Sequence, residues 1–126
     1  MYIARNIEKE IKNATKQFAC ITIYGARQIG KSTLANHIFN DSIKSITLDD
    51  LSIREYALKD PKGFLDFYGY PLIIDEIQKA PILLNYIKIV IDKYKNDCLL
   101  NNKNVEMIYL LTGSNQFELQ EAFHYL

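Results

Sequence analysis

Four short apolar runs follow one another along the chain, and segments with helical periodicity separate them. The runs cover 18–24, 45–48, 72–75 and 105–112. The first and third show no alternation of polar and apolar positions, which is typical of strands buried on both faces of a sheet. Strands that alternate with helices predict a three-layer α/β fold with a mostly parallel sheet.

Helices are predicted where apolar residues recur at helical spacing beside a start or stop signal. The predicted helices cover 2–17, 32–40, a short segment opened by Asp49-Asp50 and a Ser52-x-x-Glu55 capping box, a segment from Asp60-Pro61 to Phe67, a long segment after Ala80-Pro81, and 116–126. A capping box satisfies two orphan N–H groups, and proline at the first helical position loses no hydrogen bond. The segments 69–71 and 101–104 are predicted turns.

A phosphate-binding motif lies between the first apolar run and the helix predicted after it. Its residues are Gly25, Ala26, Arg27, Gln28, Ile29, Gly30, Lys31 and Ser32, followed by Thr33. They fit the pattern G-x-x-x-x-G-K-[ST] in its required strand–loop–helix context. Backbone N–H groups and a helix N-terminus then point at one place, which suits a di- or triphosphate. Lys31 can neutralise the outer phosphates, and Ser32 can bind a Mg²⁺ ion that bridges them. Arg27 is equally consistent with a phosphate contact and with a solvated surface arginine.

Two carboxylates end the third apolar run. Asp75 closes the predicted strand, which we expect beside the strand before the phosphate-binding motif, and Asp75 can hold Mg²⁺ together with Ser32. Glu76 follows directly and can act as the general base on a water in line with the γ-phosphate. An activated water favours a hydrolase over a small-molecule kinase. The alternative interpretation is a pair of solvated carboxylates at a strand end.

Small polar residues end the fourth apolar run. Thr112, Ser114 and Asn115 lie within a short stretch there. In P-loop ATPases with an additional strand, a polar side chain at this place orients the attacking water, and all three residues qualify. Alternatively, Thr112 is only a strand end and Asn115 caps the tail helix.

Composition and charge narrow the class of protein. The chain has 126 residues, which is the size of one domain, and 15 Lys and Arg balance 15 Asp and Glu. No overall field therefore favours nucleic acid. The two cysteines, Cys20 and Cys98, lie in apolar surroundings and are predicted to be buried thiols in a reducing compartment. No apolar run approaches the roughly 20 residues that span a bilayer, and the N-terminal residues are unlike a signal peptide, so we expect a cytoplasmic protein without a membrane partner.

Three blocks in order resemble a known family. The blocks are Gly25 to Leu34, Leu72-Ile-Ile-Asp-Glu-Ile-Gln-Lys-Ala-Pro81, and Leu111-Thr-Gly-Ser-Asn115. The chain resembles the prokaryotic AAA-type P-loop ATPases whose core precedes a DUF4143 domain, and the second block is the most specific part of the likeness.

The resemblance implies a parallel sheet of strand order 5-1-4-3-2 and ATP and Mg²⁺ as cofactors. It also implies Walker A roles for Lys31 and Ser32, Walker B roles for Asp75 and Glu76, and a sensor 1 role for Ser114 or Asn115. The nucleotide-binding core would cover about 18–115, between the N-terminal helix and the tail helix. The family's clients are mostly unknown, so the resemblance identifies no protein client.

The sequence departs from the family after the fourth strand. No arginine follows Arg54, so an arginine finger and a sensor 2 arginine are missing from that region. Such an arginine can raise turnover by several orders of magnitude. We expect a truncated core whose open sheet edge favours a homo-oligomer or a strand-swapped dimer.

Two functional hypotheses follow: an ATPase that is slow or inactive in isolation, and a non-enzymatic nucleotide-binding fragment that acts through a partner or self-association. A small-molecule phosphotransferase is the weakest third interpretation.

Overall fold

The computed structural model describes residues 9–24, 39 and 42–113. The phosphate-binding motif 25–33, the helix predicted over 32–40 apart from its residue 39, and the tail helix 116–126 lie outside the described residues. Ser114 and Asn115 lie outside them as well. The following account therefore concerns the sheet, the helices packed on it and the loops between them.

In the described part of the chain, four parallel strands form one sheet. They are β1 (Cys20–Tyr24), β2 (Lys44–Thr47), β3 (Leu72–Asp75) and β4 (Tyr109–Gly113), in the spatial order β1-β4-β3-β2. This order confirms the α/β fold and the 1-4-3-2 portion of the expected sheet. The expectation that the strand of Asp75 lies beside β1 is wrong, because β4 is inserted between them. All five residues of β4 are buried, as a central strand requires.

Strand ends differ from the apolar runs that predicted them. The first strand begins at Cys20 rather than at 18, and the fourth begins at Tyr109 rather than at 105. The Met107 N–H donates to the Thr15 carbonyl oxygen, and the Ile108 N–H donates to that of Ala19. Met107 and Ile108 are buried before β4 begins, and the Ile108 carbonyl oxygen accepts from the Leu72 N–H of β3. The apolar run is longer than the strand because it reports burial.

The described helices begin at or close to the predicted start signals. α1 covers Leu51–Lys59, α2 Pro61–Tyr68 and α3 Leu83–Leu100, and residues 9–14 are also helical. α2 begins at Asp60-Pro61 as predicted. Gly69 follows its last residue as the C-cap, and the φ of 66° at this position favours glycine. α3 begins two residues after Pro81. A 3₁₀ turn at Ile77–Lys79, which the sequence pattern did not predict, precedes it.

The aspartate pair 49–50 does start α1 as predicted, but the predicted Ser52-x-x-Glu55 capping box is wrong. Asp50 is the N-cap of α1, and its carboxylate accepts from the backbone N–H groups of Ser52 at 2.9 Å and Ile53 at 3.2 Å. An aspartate at this place satisfies two orphan donors, so the N-cap lies two residues before Ser52. Glu55 instead forms an exposed ion pair with Lys59 at 2.9 Å.

The sheet is buried on both faces. One core contains Ile46, Leu72, Ile74 and Leu111 together with α-helical residues that include Phe64, Ile87 and Ile91. The opposite core contains Ile21, Ile73 and Leu110 together with Ile11 and Ala14 of the helical segment 9–14. Neighbouring residues of β3 thus enter different cores, which confirms the prediction of three layers.

Within the described residues, β1 pairs with β4 alone. Its other side is the sheet edge at which the sequence predicts self-association. The homo-oligomer or strand-swapped dimer stays a prediction.

Both cysteines are free and buried, which confirms the prediction of buried thiols. Burial raises the pKa of the Cys20 thiol from 9.0 to about 12. Well below pH 9 the thiol is protonated in both the folded and the unfolded chain, so its contribution to stability is constant. Between pH 9 and 12 the unfolded chain loses this proton first, and the free energy of unfolding falls by up to about 1.4 kcal/mol per pH unit.

We therefore expect the Cys20→Ala variant to lose stability less steeply than the parent between pH 9 and 11. Urea denaturation at a series of pH values measures both slopes, and the pH 7 values give the constant cost of the substitution. Parallel slopes would show that the buried thiol does not govern alkaline unfolding.

Candidate functional site

Three parallel strands end at one edge of the sheet and bring polar side chains together there. Thr47 ends β2, Asp75 ends β3, and Thr112 is the penultimate residue of β4. Because the strands are parallel, their carboxyl ends share this edge, where α/β proteins usually bind ligands. The side chains that the sequence placed at strand ends are therefore neighbours.

The Asp75 carboxylate is held by a threonine from each neighbouring strand. Thr112 Oγ1 donates to Asp75 Oδ1 at 2.5 Å, and Thr47 Oγ1 donates to Asp75 Oδ2 at 3.0 Å. Thr47 lies opposite Asp75 in the ladder between β2 and β3, which explains the contact. The plane of this half-buried carboxylate is thus fixed by one hydrogen bond on each oxygen. Sequence analysis missed Thr47, because only the strand register reveals it.

Glu76 leaves the sheet in an unusual backbone conformation. Its φ of 59° and ψ of 49° lie in the left-handed region, which costs a non-glycine residue about 1–2 kcal/mol. Glu76 is only 4% exposed, so the interpretation of the two carboxylates as solvated is wrong for this residue. The Gln78 Nε2 donates to the Glu76 Oε2 at 2.5 Å. Strained residues of this kind cluster at functional sites.

Thr112 links the two acidic residues. It donates to Asp75 through its hydroxyl, and the same oxygen accepts from the Glu76 backbone N–H at 3.3 Å. Thr112 is fully buried. Thr112 is one of the three candidates for the polar group that orients the attacking water, and it contacts both Asp75 and Glu76. Ser114 and Asn115 lie outside the described residues.

A third carboxylate, which sequence analysis did not propose, joins the site. Oxygen atoms of Asp49, Asp75 and Glu76 all lie within 4.8 Å of one another. The Lys79 Nζ lies 2.8 Å from Asp49 Oδ1 and offsets part of this negative charge. The signal that could have found Asp49 is its place two residues after the second strand, at the same sheet edge. Carboxylate oxygens are the hard ligands that Mg²⁺ prefers, so the donor set fits this ion.

A family model described as an AAA domain, AAA_14, matches residues 17–124. The chain belongs to this family. The membership confirms the recognised family and, with the all-parallel sheet, the P-loop NTPase type of core. No curated protein matches the sequence. Within the described part of this AAA domain, none of the helices has the length and apolar composition that crossing a membrane demands.

The described backbone also shows where β1 of this AAA domain ends. Its last residue, Tyr24, is aligned with Gly113 in the ladder between β1 and β4. β1 therefore ends at the same edge of the sheet at which Asp75 and Thr112 lie, and the sequence motif 25–33 follows it directly in the chain. Membership of the AAA family makes this domain a nucleotide-binding core.

Proposed function

We propose that this AAA domain binds Mg²⁺·ATP and hydrolyses it with Glu76 as the general base. The observation that carries the proposal is the buried carboxylate of Glu76 next to Asp75, with both residues bonded to Thr112. A base that is withdrawn from bulk water but lies at the carboxyl edge of a parallel sheet is suited to accept a proton from a single bound water.

Substrate binding is assigned to the phosphate-binding motif. In this proposal, backbone N–H groups of 25–33 surround the phosphates and Lys31 neutralises the outer ones. Ser32 and Asp75 would hold Mg²⁺, and the two threonine hydroxyls keep the Asp75 carboxylate in one orientation for that purpose. When bound, Mg²⁺ would offset the negative charge of the phosphates.

The chemical step needs one base and one water. The water oxygen forms a bond to the γ-phosphorus while Glu76 accepts the water proton. The bond between the γ-phosphorus and the bridging oxygen breaks, and ADP leaves with that electron pair. Thr112 is suited to fix the relative positions of the Asp75 carboxylate and the Glu76 backbone, and Ser114 and Asn115 remain candidates for orienting the water.

One observation favours a second function, which is nucleotide binding without appreciable turnover. The sequence contains three arginines, Arg5, Arg27 and Arg54, and none follows Arg54. The Arg54 Nε donates to the Leu48 carbonyl oxygen at 2.8 Å. Since an arginine that contacts the transferred phosphoryl group can raise turnover about 10³–10⁵-fold, we expect slow hydrolysis by the chain alone.

Calorimetric titration with Mg²⁺·ATP tests the binding on which both functions depend. We expect the parent chain to bind, and the Lys31→Ala variant to bind at least about tenfold more weakly, because it loses a charge-assisted contact to phosphate. The matched control is Lys95→Ala, which removes an exposed lysine of α3.

Equal affinities of the parent, the Lys31→Ala and the Lys95→Ala variants would contradict the assignment of the phosphate site. Absence of binding to the parent would contradict the proposed function as a whole.

A further inference from the structure

Gln78 makes a direct contact with the proposed base. Its side chain amide donates from Nε2 to Glu76 Oε2 at 2.5 Å, across only one intervening residue. A carboxylate can only accept hydrogen bonds, so the nitrogen and not the oxygen of the amide must face it. The contact is therefore a charge-assisted hydrogen bond, which is the stronger kind.

The backbone around Gln78 fixes the position of this donor. Gln78 is the middle residue of the 3₁₀ turn Ile77–Lys79, in which the Lys79 N–H donates to the Glu76 carbonyl oxygen at 3.1 Å and the Ala80 N–H to that of Ile77 at 3.1 Å. The Lys79 Nζ in turn forms an ion pair with Asp49 Oδ1. Gln78 is half-buried, so water competes only partly for its amide.

Glu76 needs such a support at its distal end. Its backbone is held by the bond from its N–H to Thr112, but three rotatable bonds separate that point from the carboxylate oxygens. Catalysis tolerates little freedom in a base, since misplacement by about 1 Å can cost a hundredfold in rate. The hydrogen bond from Gln78 restricts those rotations.

We propose that Gln78 is the positioning residue for Glu76: it holds Oε2 so that the carboxylate accepts the proton of the attacking water through Oε1. This inference rests on the proposed function of Glu76 as the base. Gln78 touches neither water nor nucleotide in this proposal and acts through Glu76 alone. Its loss should therefore lower kcat and leave KM unchanged.

Phosphate release at saturating and limiting Mg²⁺·ATP measures the effect, in the parent and in the Gln78→Met variant. Methionine has a similar length but no donor, and we expect kcat to fall about 10- to 100-fold with KM and the calorimetric affinity for ATP unchanged. The matched control is Gln17→Met, which makes the same substitution at an exposed position away from the sheet edge.

A charge swap separates positioning from support of the fold. The Gln78→Glu variant has the original shape but places two carboxylates against each other, so we expect lower stability and lower kcat. The double variant Glu76→Gln/Gln78→Glu restores one donor and one acceptor. We expect it to regain the lost stability but not hydrolysis, because the carboxylate is then two residues from its required place. This comparison also decides the matter where Gln78→Met fails to fold.

The outcomes distinguish the two proposals. If Glu76→Gln abolishes hydrolysis but the Gln78 variants keep the parent kcat, Glu76 is the base and Gln78 does not position it. A rise of kcat in Gln78→Met would also overturn the inference, because the bond would then restrain Glu76 in an unproductive place. If the parent releases no phosphate, or Glu76→Gln keeps full activity, the proposed function fails and the role of Gln78 fails with it.

Discussion

The Glu76→Gln variant is expected to bind Mg²⁺·ATP like the parent and to release phosphate about 10²–10⁴-fold more slowly. The amide cannot accept the water proton, and the loss is that of a positioned general base. Glutamine keeps the shape of the side chain and the left-handed backbone of this position, so the free energy of unfolding should change little. A carbonyl oxygen can still accept from Gln78 Nε2, which preserves the contact that positions the side chain. Phosphate release under single-turnover conditions and calorimetric titration together measure the two effects.

The control for this result is Glu10→Gln, which removes an exposed carboxylate from the helical segment 9–14. It should hydrolyse ATP at the parent rate. Unchanged hydrolysis in Glu76→Gln would remove Glu76 from the reaction, and a loss of ATP binding would show that its charge serves the nucleotide or metal instead.

The Thr112→Val variant is expected to lose about 3 kcal/mol of the free energy of unfolding. Valine has nearly the volume of threonine, so packing in β4 is kept, but two hydrogen bonds at a fully buried oxygen are lost. Thr112 donates the first of these bonds to the Asp75 carboxylate. It accepts the second from the N–H of the buried Glu76, which is left without this acceptor. Each such loss costs roughly 1–3 kcal/mol. Urea denaturation followed by circular dichroism measures the change.

Thr47→Val supplies the matched comparison, because Thr47 donates to the other oxygen of the same carboxylate. Its second bond is accepted from the N–H of Asp49, at an exposed position where water can replace it. We expect a smaller loss of about 1 kcal/mol. Equal losses in the two variants would mean that the connection from Thr112 to Glu76 adds nothing to the site.

Sequence reasoning proposed the parts of the site that a local motif encodes. The pattern of 25–32 and the Asp75-Glu76 pair are recognisable because phosphate and metal chemistry require particular residues at fixed spacing. The position of β4 between β1 and β3 came from the family resemblance. The local argument, which placed the strand of Asp75 beside β1, was wrong, because strand order is decided by packing of the whole sheet.

The remaining residues of the site could not be predicted because each depends on geometry that a short pattern does not contain. Thr47 enters through the register of two strands that are far apart in sequence. Gln78 belongs to the site because of the left-handed turn at Glu76. No glycine marks this turn in the sequence, so the pattern does not predict it. Asp49 was visible only as one of two adjacent aspartates, of which the second caps α1.

The central position of β4 has a consequence for the order in which the protein folds. β2 and β3 can pair early, since they are close in sequence, with only α1 and α2 between them. β1 must wait, because its partner is β4 and Cys20 pairs with Tyr109 at the other end of the described chain. Contacts of such long sequence separation form slowly, and an unpaired apolar strand is exposed to aggregation meanwhile. During synthesis, the strand before the phosphate-binding motif is the first of the four described strands to leave the ribosome, and we expect it to be the last of them to enter the sheet.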